Sequence, residues 1–313
     1  MAGDYTRGLP TARLATLLLA ATLCVAACGG GGKHASAPAG GKGTLTQLLA
    51  RPGPDIALVQ GTSDYAVGPV RVTFLVIDAN AKAINRPRAH VWVAKSLDSP
   101  PIVSTEASLE PIGIPGKSEA AAGGVSEIYV ARFRIAQPGT YTLLAQPEGA
   151  EIQGIANLKV AKRPQAPAVG DRAVPSRTPT LASAHGDPAL VTTSNPPDRS
   201  LLQYSVAGSL AAHAPFVLVF ATPKYCTSRT CGPVVDVAQA VQKRLAGTGV
   251  RFIHVEIYQD NNPAQGFNRW VKEWRLPDEP FIFLVGRDGR IKGRFEGSVS
   301  VVELSAAVRL DLL

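Results

Sequence analysis

Two cysteines, Cys226 and Cys231, follow the apolar β-type run Phe216-Val-Leu-Val-Phe-Ala and precede a helix that opens at Pro233. That order is what a dithiol site requires. A strand end holds one sulfur, and a short loop brings the second to a bonding distance of about 2 Å. A helix N-terminus supplies amide N–H groups and a partial positive charge that favour thiolate. The chemistry is thiol–disulfide exchange through a mixed disulfide.

The elements that must position the pair lie in residues 201–313, which read as alternating helix and strand. Residues 205–213 predict a short helix and 215–221 a buried strand. The helix over 233–246 has Pro233 in its first turn and Gly247 just past its last. Residues 250–257 predict the next strand. Asn262 then caps a helix whose Phe267, Trp270, Val271 and Trp274 fall at i, i+3, i+4 and i+7, an apolar stripe with both tryptophans in the core. After Pro280 come the strand 281–285, a hairpin turn at Gly286-Arg-Asp-Gly289 and the strand 290–296. A last helix is introduced by the capping box Ser300-Val-Val-Glu303. Helices alternating with strands imply a mixed sheet covered on both faces.

The front of the chain reads as an address. Arg7 and Arg13 form a basic region and residues 14–27 an apolar one too short for a stable membrane anchor. Val25-Ala26-Ala27-Cys28 resembles a bacterial lipobox. The resemblance implies a signal peptide over 1–27, cleavage before Cys28 and acylation of that cysteine; a plain secretory signal cut near Ala27 is the alternative. Residues 28–54, rich in Gly, Ala and Pro, read as a flexible tether. The expected location is the extracytoplasmic face of a cell membrane, with lipidated Cys28 as the membrane contact. Of the four cysteines, Cys24 leaves with the signal and Cys28 carries lipid, so Cys226 and Cys231 have only each other. In an oxidising compartment they are expected to rest as a disulfide. Closing so small a loop stabilises by roughly 2 kcal/mol, a weak reason for the pair in a domain large enough to build a core.

The 313 residues, 45% hydrophobic, allow two cores of ordinary size. The net charge of +8 is spread without a basic block, which suits a neighbour of anionic lipid heads and argues against nucleic acid. Residues 55–162 read as β throughout. Val70-Arg-Val-Thr-Phe-Leu-Val-Ile77, His90-Val-Trp-Val-Ala94, Glu127-Ile-Tyr-Val-Ala-Arg-Phe-Arg-Ile135 and Thr140-Tyr-Thr-Leu-Leu-Ala145 are strands, the last after a Pro138-Gly139 turn. The pattern predicts an antiparallel sandwich. Its final hairpin, around Gln137-Pro-Gly-Thr-Tyr141, resembles those of immunoglobulin-like modules of bacterial envelope proteins. A spacer or docking role is expected of it. His90 stands without Met or Cys nearby, so no copper site is expected there. Residues 163–200 carry seven prolines and read as a linker or an entry segment on the next domain.

Residues 201–313 resemble the thioredoxin superfamily, most of all its membrane-tethered thiol–disulfide oxidoreductases. The residues that carry the likeness are the apolar strand, the cysteine pair, the helix, and Asp278-Glu-Pro-Phe281 feeding a strand and a Gly-x-Asp-Gly hairpin. Val169-Gly-Asp-Arg-Ala173 looks like the opening of many such domains. The resemblance implies a two-domain chain, an all-β immunoglobulin-like sandwich followed by an α/β thioredoxin-like fold. It also implies a cis bond before Pro280, facing the disulfide. Several residues depart from the family. Four residues, Thr227-Ser-Arg-Thr230, separate the cysteines where two are usual, so either sulfur could be the more acidic. Cys226 stands at the attacking position and Cys231 at the resolving one. Tyr225 replaces a common Trp. Phe220 falls where many relatives bury an Asp, leaving water, Lys224 or Glu279 to move protons. His254 reads as a core or edge histidine, against a copper site formed with both cysteines. Glu256 could pair with a cation. Neither metal nor cofactor is expected.

The function these residues point to is a lipid-anchored extracytoplasmic thiol–disulfide exchange protein acting on proteins or small thiols. The alternative is a non-catalytic thioredoxin-like scaffold with a structural disulfide, docking an envelope partner.

Overall fold

The computed structural model describes residues 43–49, 56–114, 125–149, 153–225 and 233–313. Eight strands form in the first half: β1 (Ile56–Gln60), β2 (Tyr65–Ala66), β3 (Gly68–Asp78), β4 (Arg88–Ala94), β5 (Val103–Pro111), β6 (Glu127–Ile135), β7 (Gly139–Pro147) and β8 (Gly154–Ala161). They form one hydrogen-bonded sheet in the order β1-β3-β6-β5-β4-β7-β8-β2. Neighbours are antiparallel, apart from the parallel β2–β8 pair. The sheet rolls until its ends meet: a Cβ on Gly154 of β8 would lie 2.9 Å from Leu58 Cβ of β1. Inward side chains such as Val72, Phe74, Val91, Tyr129 and Leu143 fill the roll, with the Phe74 and Tyr129 rings stacked at 5.3 Å. The result is an all-β body. Helix α1 (Leu45–Leu49), within the stretch read as tether, seats the fully buried Leu45 against Trp92 and Leu144.

The second sheet holds β9 (Phe216–Phe220), β10 (Arg251–Val255), β11 (Phe281–Val285) and β12 (Ile291–Glu296) in the order β10-β9-β11-β12. β10 runs parallel to β9, and the other pairs are antiparallel. Helices α3 (Pro233–Arg244) and α5 (Val301–Leu312) cover one face. The other packs on Trp274, Val271 and the connecting segment, with α2 (Val206–Ala211) and α4 (Arg269–Glu273) nearby. The proline-rich residues 163–200 run along this body. They bury Ala166, Ala173, Leu181 and Val191, and Gly170 N–H donates to the Ile291 carbonyl at 2.8 Å.

This corrects the expected fold. The sandwich-plus-thioredoxin architecture with an α/β second half is replaced by a predominantly β chain. Among the described residues twelve strands lie in two sheets, and the five α-helices are only five to twelve residues long. The thioredoxin resemblance therefore gives way to β structure with short helices. The helix expected from Asn262 is a case in point. Pro263 and Gly266 break it, Asn262 caps only a 3₁₀ turn, and α4 begins after Asn268, whose Oδ1 accepts the Trp270 and Val271 amides. Phe267 consequently lies outside the stripe and is exposed.

Residues 40–313 form one compact unit. Polar side chains knit the sheets together. Glu303, at N3 of α5, is the partner of Arg71: Nε and Nη2 donate to its two oxygens at 2.7 Å each. Arg132 Nη2 donates to the same carboxylate. Arg71 also donates to the Glu296 and Ser298 carbonyls, at 3.2 and 2.7 Å. Ser300 caps α5 as expected, accepting from Glu303 N–H at 3.0 Å, while the Glu303 side chain crosses to the other sheet. Glu296 accepts from Ser63 N–H (2.6 Å), Ser63 Oγ (2.8 Å) and Asp64 N–H (2.8 Å). Asp64 in turn binds Arg294 at 2.8 Å.

Burial pushes the Glu296 carboxyl above its ordinary value of 4.5, against its hydrogen bonds and the Arg294 charge. A carboxyl with a raised folded-state pKa binds more protons folded than unfolded. Its contribution is therefore fully present below 4.5 and is lost as pH rises through the window above it. The stability of the parent chain relative to Glu296→Gln is expected to decline with rising pH in that window. Thermal melts of both proteins between about pH 4 and 8 measure this; a pH-independent difference would refute it.

Candidate functional site

Strand β9 ends at Phe220 and delivers residues 221–225 to the position before the cysteines. Cys226 and Cys231 lie outside the described residues, as does Cys28. What is described is the ground on either side. Phe281 pairs with Phe220 across β11 and β9, so Pro280 and Glu279 stand beside residues 221 and 222. The Glu279–Pro280 peptide bond is cis. Glu279 is buried, and its Oε2 accepts the Thr222 N–H at 3.0 Å. The Asp278 carboxylate accepts the Glu279 N–H at 2.7 Å. On its other side Glu279 lines a cavity of about 250 Å³ shared with Thr62, Ser63 and Lys159 of the first sheet's body. The buried Glu279 carboxylate is thus held on the amide of Thr222, which lies four residues before Cys226 in the sequence.

Lys224 N–H donates to Thr193 Oγ1 at 3.2 Å, and its ammonium sits 5.2 Å from the Tyr225 ring centre. Tyr225 meets Tyr258 edge-on at 6.4 Å, and Tyr258 stacks on Phe267 at 5.8 Å. With Phe267 37% exposed, these rings form an accessible aromatic surface beside a cation. Such a surface can hold an extended chain by its apolar side chains.

His254 is buried, and its Nε2 lies 3.0 Å from the Ala221 carbonyl. A carbonyl only accepts, so Nε2 carries the proton and is not free to ligate metal. Nδ1 faces Thr192 Oγ1 at 3.4 Å. Among the described residues Glu256 faces no cation: one oxygen accepts both the N–H and the hydroxyl of Thr193, and the other has no partner there. Among those residues no group of three or more His, Cys, Asp or Glu side chains is placed to hold a metal. Phe220 is fully buried, 5.6 Å from Trp274 and 6.4 Å from Phe283 in ring-centre distance, so its side chain belongs to an aromatic cluster.

The structure therefore brings together Pro280, Glu279, Lys224 and Tyr225 at one end of the second sheet. Sequence reasoning missed Thr222, whose amide anchors Glu279, and Thr193, which joins Lys224 to Glu256. Nothing in their local sequence marks either one. No helix among the described residues is long and apolar enough to cross a membrane.

No protein-family profile and no curated protein matches the chain. Among solved structures it is similar to the Lin-41 filamin domain, at 13% identity and a TM-score of 0.21, covering 36% of this chain and 99% of that one. A likeness that weak bears on none of the residues above.

Proposed function

We propose that the chain is a lipid-anchored extracytoplasmic thiol–disulfide exchange protein that works through Cys226 and Cys231. The observation that carries the reading is the buried Glu279 carboxylate, fixed on the Thr222 amide next to Pro280 where the cysteine segment begins. A carboxylate at that point can take and return the thiol proton that Phe220 cannot. Cys226 thiolate attacks one sulfur of a partner disulfide, forming a mixed disulfide and releasing the other sulfur as thiolate. Cys231 thiolate then attacks the Cys226 sulfur and expels the second partner thiolate. The partner gains two electrons, the pair becomes a disulfide, and the reverse sequence oxidises a partner dithiol. The aromatic surface of Tyr225, Tyr258 and Phe267 supports docking of an extended substrate chain, and Cys28 holds the protein at the membrane.

Trapping tests the reading. Cys231→Ser is expected to accumulate reductant-sensitive adducts with extracytoplasmic partners, and the additional Cys226→Ser change to abolish them. A reduction potential far below about −300 mV together with no adducts would mean an inert staple.

A further inference from the structure

A cavity of about 850 Å³ opens between the two sheets. Its apolar walls are Val67, Pro69 and Val70 from the β2–β3 stretch, Phe133 of β6 and Phe295 of β12. That size falls within the range of small-molecule sites. Along β12 the strand edge is closed at Ile291, which exchanges hydrogen bonds with Gly170 and Asp171. It is closed again at Glu296, whose carbonyl accepts from Arg71. A compact ligand fits between these points better than an extended chain does.

The charges facing the cavity set the ligand's charge. Arg71 is committed to Glu303, Arg294 to Asp64 and Arg163 to Asp171. Arg132 is shared between Glu303 and Glu110. Lys162 is exposed at the rim and makes no ion pair among the described residues. Among the described residues lining the chamber, one cation outside an ion pair beside apolar walls suits one anionic group on an apolar body. A nucleotide or other polyanion would need several.

We propose that this cavity binds a small monoanionic amphiphile, a medium-chain alkyl carboxylate, with its carboxylate at Lys162 and its chain between Phe133 and Phe295. The site is separate from the cysteine chemistry, so either proposal can fail without the other. The test is calorimetric titration of the full chain with decanoate below its micelle-forming concentration, alongside decyltrimethylammonium, which has the same chain and the opposite charge. Saturable binding at one site is expected for decanoate and none for the cation. Lys162→Glu, a change at an exposed position, is expected to weaken decanoate by about tenfold or more. Val67→Trp, which fills the chamber from a residue 37% exposed, is expected to remove binding. Absence of saturable binding would overturn the proposal. So would equal affinity for the cation, or a decanoate affinity unchanged in Lys162→Glu with its melting temperature intact.

Discussion

Glu303→Ala is expected to lower the unfolding free energy by about 3–5 kcal/mol, the usual cost of removing one partner from a buried ion pair. Arg71 and Glu303 are nearly out of solvent, with side-chain exposures of 14% and 9%. Without the carboxylate, Arg71 and Arg132 face each other across the junction with no shared counter-charge. The loss does not come from the helix cap, because Ser300 bonds the backbone N–H of residue 303, which alanine keeps. Arg132, half exposed, recovers solvent, so the larger part of the effect belongs to Arg71. The paired change Arg71→Met with Glu303→Leu is expected to recover most of the stability, since apolar groups of similar volume often replace a buried pair without penalty. Urea denaturation of the four proteins, read as a double-mutant cycle, gives the coupling directly. A loss under about 0.5 kcal/mol for Glu303→Ala would place the pair among the inconsequential surface bridges and leave the union of the sheets to apolar packing.

That junction marks the limit of what the sequence discloses. Local alternation locates strands well: residues 127–135 are β6 to the residue, and 281–285 are β11. The strand β5, in which only Ala107 is buried, is mostly polar and gives no such signal, so its place between β4 and β6 emerges only in the sheet. Arg71 and Glu303 are 232 residues apart, and each reads locally as an ordinary surface charge. Their pairing is a property of register in one sheet and capping in a helix of the other. Composition can suggest two cores, yet it says nothing of the polar contacts that join the two sheets. The weight given to helices failed for a separate reason. Apolar spacing at 267–274 satisfied a helical period, but Pro263 and Gly266 shorten the element to Arg269–Glu273. At the candidate site, Pro280 entered through the thioredoxin resemblance and Glu279 as the carboxyl beside it, and no local pattern marks either one. Thr222 and Thr193 contribute through a backbone amide and a hydroxyl whose partners lie 57 and 31 residues away.

Gly297→Ala is expected to destabilise by roughly 3–5 kcal/mol, the sum of a left-handed backbone cost and an overlap that cannot relax. Gly297 follows β12 with φ +72°, and its N–H donates to the Pro280 carbonyl at 2.9 Å, so the conformation is held on the second-sheet side. On the other side a Cβ would stand 2.2 Å from the Gly61 carbonyl oxygen and 3.5 Å from Thr62 Cγ2. The obstacle is backbone, and Gly61 N–H is itself bonded to the Thr73 carbonyl at 2.8 Å, so it has no easy retreat. The two bodies touch here main chain to main chain, and one methyl group must push them apart. Gly247→Ala supplies the control. Its φ is +83°, but nothing lies within 4 Å of the added carbon, so only the backbone cost of about 1–2 kcal/mol is expected. Chemical denaturation of both variants separates the two contributions, the excess at residue 297 measuring the steric one. If the pair lose equal stability, the close approach of Gly61 to Gly297 does not constrain the junction, and the Glu303 and Glu296 networks alone hold the sheets in one body.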